Sequence, residues 1–170
     1  MAAITQMQTE FRRAKLPEET RSLLLFDRKA FSTYPADWFE ASDWQRCEPW
    51  WMTVNKKKIG CCAFQRDADF EDDIREQAGN PASPGSLYVV STGILPPFWG
   101  RGFGRLLKCW EIAFARNQGF GRIVTNTRQS NKRMIALNQS FGFTLVRTTP
   151  DYYERPSEAT VVMERVLKRV

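Results

Sequence analysis

The chemically densest stretch of this chain is residues 94–107, where Gly100-Arg101-Gly102-Phe103-Gly104 joins an apolar, β-branched run to an amphipathic one. A strand-to-helix turn of this kind aims successive backbone N–H groups at one point, and the helix N-terminus adds about half a positive charge. Such a turn is a cradle for phosphate. A side chain at Gly102 or Gly104 would stand between the backbone and the anion, or forbid the angles that the turn requires. A Walker A loop is excluded because Gly104 is followed by Arg105-Leu106 and not by Lys-Ser or Lys-Thr. A dinucleotide fingerprint is excluded as well, because the glycines read Gly-x-Gly-x-Gly and no acid stands near Phe120-Gly121-Arg122.

The other residue types narrow the chemistry further. The chain of 170 residues contains no histidine. It therefore has no Ser-His or Cys-His nucleophile pair, no imidazole acid or base and no histidine metal ligand, and no metal site is expected. The four cysteines, Cys47, Cys61, Cys62 and Cys109, lack CxxC spacing and the density of a disulfide scaffold, so they read as reduced thiols. Cys61 and Cys62 must point to opposite faces of a strand, and Cys109 is expected to face the core. No apolar run has signal-peptide or membrane-spanning length, so a cytoplasmic protein with no membrane partner is expected.

Residues 1–85 carry 12 basic and 14 acidic side chains and residues 86–170 carry 13 and 5, for a net charge of +6. A basic C-terminal half fits a polyanionic partner or, equally, a solvated basic surface.

At this length, with 42% apolar residues, one core is the expectation. Pro17-Glu18-Glu19 opens a first helix with Leu23, Leu24, Phe26, Ala30 and Phe31 on its apolar face, and a short second helix is expected from Pro35 to about Trp44. Residues 50–54 and 59–64 flank Asn55-Lys56-Lys57-Lys58 as a hairpin. An acidic loop spans residues 67–85. A strand over 87–95, a helix over 105–117, a strand over 122–127, a helix from about 130 to 140 and strands over 143–147 and 160–167 complete the pattern. In the 105–117 helix, Leu106, Leu107, Trp110, Ile112, Ala113 and Phe114 suit a buried face. The order is strand, two helices, hairpin, strand, helix, strand, helix, strand, strand. It predicts an α/β (α+β) single domain with a mixed, mostly antiparallel central sheet flanked by helices.

Within this frame, Trp99-Gly100-Arg101-Gly102-Phe103-Gly104 resembles motif A of the GNAT superfamily of acyl-CoA-dependent N-acetyltransferases, Gln/Arg-x-x-Gly-x-Gly/Ala, with Trp99 in place of Gln or Arg. Residues 131–143, from Asn131 through Ala136, Leu137 and Asn138 to Gly142-Phe143, resemble the family's Asn-x-x-Ala-x-x-Leu-Tyr-x-x-x-Gly-Phe helix. The resemblance implies the GNAT fold and acetyl-CoA as cofactor. Its pyrophosphate would lie on Trp99 to Gly104, with Gly100, Arg101 and Phe103 among its neighbours. Thr92, Gly93 and Ile94 would pair with its pantetheine arm, and Asn131 and Asn138 would border its thiol end. Residues 86–147 would be the cofactor core, 1–85 the variable acceptor-binding part and 148–170 a C-terminal hairpin.

The family's usual ionisable groups are replaced. By the resemblance, the base of one branch falls on Asn126, that of another on Tyr88, and the acid on Asn138. The base is then a carboxylate from 67–71 or from Asp37, Glu40 and Asp43, or solvent ordered by Asn126, or absent in a protein that only binds the cofactor. Tyr152 and Tyr153 stand where a phenol could protonate a thiolate, or could simply pack the hairpin. Trp38, Trp44, Trp50 and Trp51 read as packing. The expected activity is acetyl transfer from acetyl-CoA to a primary amine, a cationic small molecule or peptide amine, by direct attack in a ternary complex. The alternatives are a non-catalytic acyl-CoA-binding or regulatory module and, more remotely, a nucleic-acid-binding domain, for which no signature is seen. No nucleic-acid partner is expected, and a homodimer is left open.

Overall fold

A computed structural model describes residues 7–66 and 85–167. The acidic loop expected over 67–85 lies outside the described residues except for Gly85. The strands are β1 (Thr9–Arg13), β2 (Glu48–Val54), β3 (Lys57–Arg66), β4 (Ser86–Ile94), β5 (Arg122–Arg128), β6 (Thr144–Glu154) and β7 (Ser157–Val166). The helices are α1 (Thr20–Ala30), α2 (Ala41–Gln45), α3 (Phe103–Asn117) and α4 (Lys132–Ser140). The strands form one seven-stranded sheet in the order β1-β2-β3-β4-β5-β7-β6. All neighbours are antiparallel except β4 and β5.

Alternation along β2 and β3 sends side chains to two cores. Trp51, Cys61 and Ala63 meet Leu23 and Phe26 of α1 and Trp44 of α2, whereas Met52, Cys62 and Phe64 lie in the cluster that holds Phe103, Leu107 and Ile112 of α3. The two adjacent cysteines thus divide between the faces, and burial pushes both thiols well up.

Three details differ from the sequence reading. The second helix is broken: Pro35–Asp37 makes a 3-10 turn, Trp38 is extended, and α2 starts only at Ala41. The break is held by the Trp38 indole donating to the Phe31 carbonyl at 2.9 Å and by a reciprocal capping box between Glu40 and Asp43. The hairpin turn shrinks to Asn55-Lys56, both with positive φ, as a two-residue turn between twisted strands requires.

On α3 Cys109 and Ala113 are exposed, contrary to expectation. The buried stripe is Phe103, Leu107, Lys108, Glu111, Ile112 and Ala115, and Leu106 is 42% exposed. Lys108 and Glu111 can occupy that stripe because their side chains pair at 2.5 Å.

Glu19, at the head of α1, accepts from both guanidinium nitrogens of Arg12 at 2.8 and 2.7 Å and from Lys58 at 2.6 Å, joining β1, α1 and β3. The Arg12 bonds, reinforced by Lys58, hold its carboxyl well below the usual range. A depressed pKa contributes stability that is present above the ordinary value of 4.5 and is lost as pH falls below it. Glu19→Gln is therefore expected to cost about 2 kcal/mol in urea unfolding at pH 7. The same variant should flatten the loss of stability below pH 4.5.

Candidate acyl-donor and acceptor cleft

The site begins where β4 and β5 part. They pair in parallel only over 86–89 against 122–125, ending at Val89 and Thr125. At that point the β3–β4 register slips, Ala63 facing Ser91 but Phe64 facing Val89, so Val90 is an extra residue on β4. A bulge of this kind bends its strand, and β4 leaves β5 here. Past the bulge the Leu95 amide bonds the Ile59 carbonyl at 2.8 Å. Antiparallel alternation then turns the backbone groups of Thr92 and Ile94 away from β3, into the gap that β5 no longer fills. The Ile94 carbonyl is met by the Trp99 indole N–H at 2.6 Å. Trp99, the departure from the family pattern, thus locks the strand end to the turn.

Gly100 and Gly102 have φ of +73° and +84°, and a Cβ at either would meet nothing within 4 Å. Glycine is needed at these two positions for the backbone angle rather than for space. Gly104 is different, since an added Cβ would only touch Leu137 Cδ2 at 3.9 Å. Gly102 is the N-cap of α3 and offers no side chain to the first-turn amides, which leaves them to an anion. Cations ring the turn: Lys57 and Arg101 stand over the Phe98 ring, Arg105 over Phe141 and Arg133 over Trp99. Lys57, Arg105 and Arg133 were not singled out in the sequence. Only the fold brings β3 and α4 to this turn.

Toward the middle, the Thr92 hydroxyl donates to Glu111 Oε1 at 2.5 Å, tying β4 to the buried Lys108–Glu111 pair. A Cβ on Gly93 would lie 2.7 Å from Phe31 Cζ, so only glycine lets the end of α1 cross β4. Asn131 caps α4 through the Met134 amide at 3.1 Å and also lines the cleft. Asn138 is fully buried, its amide 3.9 Å from Met163 Sδ and its carbonyl oxygen without a partner among the described residues.

The far end is a cavity of about 230 Å³ between the α1–α2 segment, β4, β5 and the β6–β7 hairpin. Asn126 accepts a short hydrogen bond from the Tyr88 hydroxyl and donates to Thr160 Oγ1 at 3.1 Å. The two positions where an ionisable base was expected are thus bonded to each other. Tyr152 and Tyr153 line the same cavity, their rings edge to face at 5.0 Å, on a part of β6 displaced by a register shift against β7 between Thr149 and Tyr153.

Arg128, only 4% exposed, closes this end. It grips both carboxylate oxygens of Asp37 at 2.8 and 2.9 Å, reaches Glu158 at 3.2 Å and lies between the rings of Tyr34 and Tyr153.

Of the carboxylates weighed as a base, Asp37 is held by Arg128, and Glu40 and Asp43 cap α2. Residues 67–71 lie outside the described residues. One cleft carboxylate escaped the sequence reading. Asp27 sits 2% exposed on the apolar stripe of α1, four residues from Leu23, and burial pushes its carboxyl up to about 6. An acid in phase with a helix's apolar face was the available signal.

Residues 10–143 match the model of the acetyltransferase (GNAT) family. N-alpha-acetyltransferase 50 of Danio rerio is 30% identical over 81 residues, 46% of this chain and 48% of that protein. Mycothiol acetyltransferase of Frankia casuarinae is 26% identical over 153 residues, 82% of this chain. The chain spans less than half the length of these curated relatives, 48% and 43%. Among solved structures, the ribosomal-protein-S18-alanine N-acetyltransferase of Escherichia coli superposes with a TM-score of 0.75 at 16% identity, over 96% of both chains. Arabidopsis thaliana NAA60 in complex with acetyl-CoA gives 0.78 at 14%, over 94% of this chain and 99% of that one.

Proposed function

Because this chain belongs to the acetyltransferase (GNAT) family, we propose that it transfers acetyl from acetyl-CoA to a primary amine, by direct attack within a ternary complex. The observation that carries this reading is the gap between β4 and β5, with the Thr92 backbone and the Ile94 amide turned into it and a cation-ringed glycine turn at its end. These features fit acetyl-CoA, which supplies an activated acetyl group when bound. Thr92, Gly93 and Ile94 would hold the pantetheine arm, Trp99 to Gly104 the pyrophosphate, and Asn131 the region of the thiol, whereas Asn138, expected there too, is fully buried against Met163 and out of its reach. The Ile94 amide would stabilise an oxyanion, a task that needs no particular side chain.

The acceptor would enter at the other end of the cleft, among Phe31, Tyr34, Phe39 and two acidic residues, Asp27 and Asp37. Aromatic and acidic walls suit a cationic, partly apolar amine, either a small molecule or a peptide amino terminus. Asn126 would order the amine or a water beside it. A phenol of Tyr152 or Tyr153 would protonate the departing thiolate. The described cysteines are all unpaired, in keeping with a reducing cytoplasm.

The bond between Tyr88 and Asn126 favours a second reading, a module that binds acyl-CoA without catalysis. The experiment that separates the two is thiol release from acetyl-CoA with phenethylamine, spermidine, a methionyl pentapeptide and a lysine-containing peptide. Release above the buffer rate with one amine class supports the transferase and names its acceptor. Tight binding with no release from any of them supports the module. Tyr152→Phe and Tyr153→Phe, made singly, are expected to leave acetyl-CoA affinity unchanged. The variant that removes the acid should lower turnover about 100-fold. Full turnover in both would remove the tyrosines from the mechanism.

A further inference from the structure

We propose that Asp27 is the group that takes the proton from the incoming ammonium at the acceptor end of the cleft, a role that rests on the amine-acetylating reading above. Leu23, Asp27 and Phe31 follow one another at intervals of four and so share one stripe of α1. That stripe lies against the cleft end of β4, because the Phe31 ring is the obstacle that a Cβ on Gly93 would meet. Asp27 itself lines the cavity and is 2% exposed. Its Oδ2 accepts the Phe39 amide at 2.8 Å, while Oδ1 makes no hydrogen bond among the described residues. No Lys or Arg among those residues pairs with it. Burying a carboxylate without a cation is costly, and a fold that keeps one at the wall of a substrate cavity leaves a place for a cation from outside.

The surrounding charges point the same way. Arg28 on its own helix favours the ionised form, and Asp37 and Asp43 from the next segment oppose it. From β3 the neighbour is Cys61, whose thiol is itself pushed up. Across the cavity stand the phenols of Tyr88, Tyr152 and Tyr153 and the guanidinium of Arg128, the last already matched by Asp37 and Glu158. Burial, the largest influence, raises the Asp27 carboxyl to about 6. A carboxylate in that range is ionised at neutral pH yet basic enough to share a proton.

In the step that follows, one N–H proton of the ammonium passes to Asp27 and frees the nitrogen lone pair. That pair forms the C–N bond to the thioester carbonyl carbon. The C–S bond breaks with its electron pair on sulfur, which takes a proton from the tyrosine phenol; the phenol recovers the second nitrogen proton, and Asp27 returns its own proton to water. One proton is released for each ammonium consumed.

A purely structural Asp27 would only fasten the Phe39 segment, and the test separates the two roles. Asp27→Asn keeps an oxygen for the Phe39 amide and removes the base, whereas Asp27→Ala removes both. With the fastest amine of the panel named above, Asp27→Asn is expected to lower kcat/KM for the amine about 100-fold at pH 7. It should also abolish the acidic limb centred near pH 6 and leave acetyl-CoA affinity unchanged. A readout independent of turnover is the carboxyl carbon resonance of Asp27, expected to titrate near 6 in the wild-type protein without amine. Full activity and an unchanged pH profile in Asp27→Asn, with loss only in Asp27→Ala, would overturn the proposal in favour of the fastener. Titration in the ordinary carboxylate range would overturn it as well. Absence of thiol release by the wild-type protein with every amine would instead remove the transferase reading, and this role with it.

Discussion

Replacing Gly102 by Glu is expected to weaken acetyl-CoA binding by about 100-fold or more, measured by calorimetry. The added carboxylate would stand at the mouth of the amide cradle, where like charge against a pyrophosphate costs several kcal/mol, and each 1.4 kcal/mol is about tenfold in affinity. The substitution has a second, separable cost. Gly102 has φ +84°, a left-handed conformation that an L side chain adopts at a penalty of about 1–2 kcal/mol, although an added Cβ meets no atom within 4 Å. Gly102→Ala carries the backbone penalty without the charge, so it should unfold as early as Gly102→Glu and still bind. Equal affinity for acetyl-CoA in the wild-type and Glu proteins would show that the turn is not the pyrophosphate site.

The second large effect is expected at Arg128. Its guanidinium ties the segment after α1, through Asp37, to the β6–β7 hairpin, through Glu158 and the Pro156 carbonyl. Arg128→Ala would strand two carboxylates and leave a gap between the Tyr34 and Tyr153 rings. Breaking a buried pair from one side costs roughly 3–5 kcal/mol, and Asp37, 29% exposed at its side chain, puts this case at the lower end. A loss of about 3 kcal/mol corresponds to a fall in Tm of about 10 °C in a domain of this size. Arg128→Lys should recover little, because neither the bidentate grip nor the stacking suits an ammonium. KM for the amine should rise in both variants, while affinity for acetyl-CoA, bound along β4 and the glycine turn, should hold. Wild-type Tm in Arg128→Ala would mean that the two walls are joined by other contacts.

The central part of the fold was readable because its signals are local. A β-branched run, a glycine turn and an amphipathic helix follow one another over residues 87–117, and β4 and α3 form there. The family resemblance rests on this stretch and on residues 131–143, so the glycine turn ahead of α3 and the Asn131 cap of α4 were both legible.

The parts that escaped depend on contacts distant in sequence. Lys57 and Arg133 reach the turn only because β3 and α4 pack beside it. Lys108 and Glu111 sit inside α3 where the apolar pattern favoured other positions, and their mutual pairing, with the Thr92 hydroxyl on Glu111, makes this tolerable. The strand after Phe143 extends to Glu154, well past the apolar run, because β7 supplies the pairing that the polar sequence there does not advertise.

The acceptor end was the least legible. Of the acids that the sequence offers as a base, Asp37, Glu40 and Asp43 are engaged in holding the segment together. Asp27 was hidden as one polar residue in an apolar helix face. Likewise, the mutual bond of Tyr88 and Asn126, 38 positions apart, follows only from the parallel pairing of β4 and β5.

The central claim is that the gap between β4 and β5 binds acetyl-CoA and delivers its acetyl group to an amine. It is tested most directly by titrating the full chain with acetyl-CoA in a calorimeter and then adding the amine panel to the same sample, following free thiol and acetylated amine together. Saturable one-to-one binding, followed by equal amounts of thiol and amide with one amine class, is the predicted result. No binding of acetyl-CoA would contradict the account at its root.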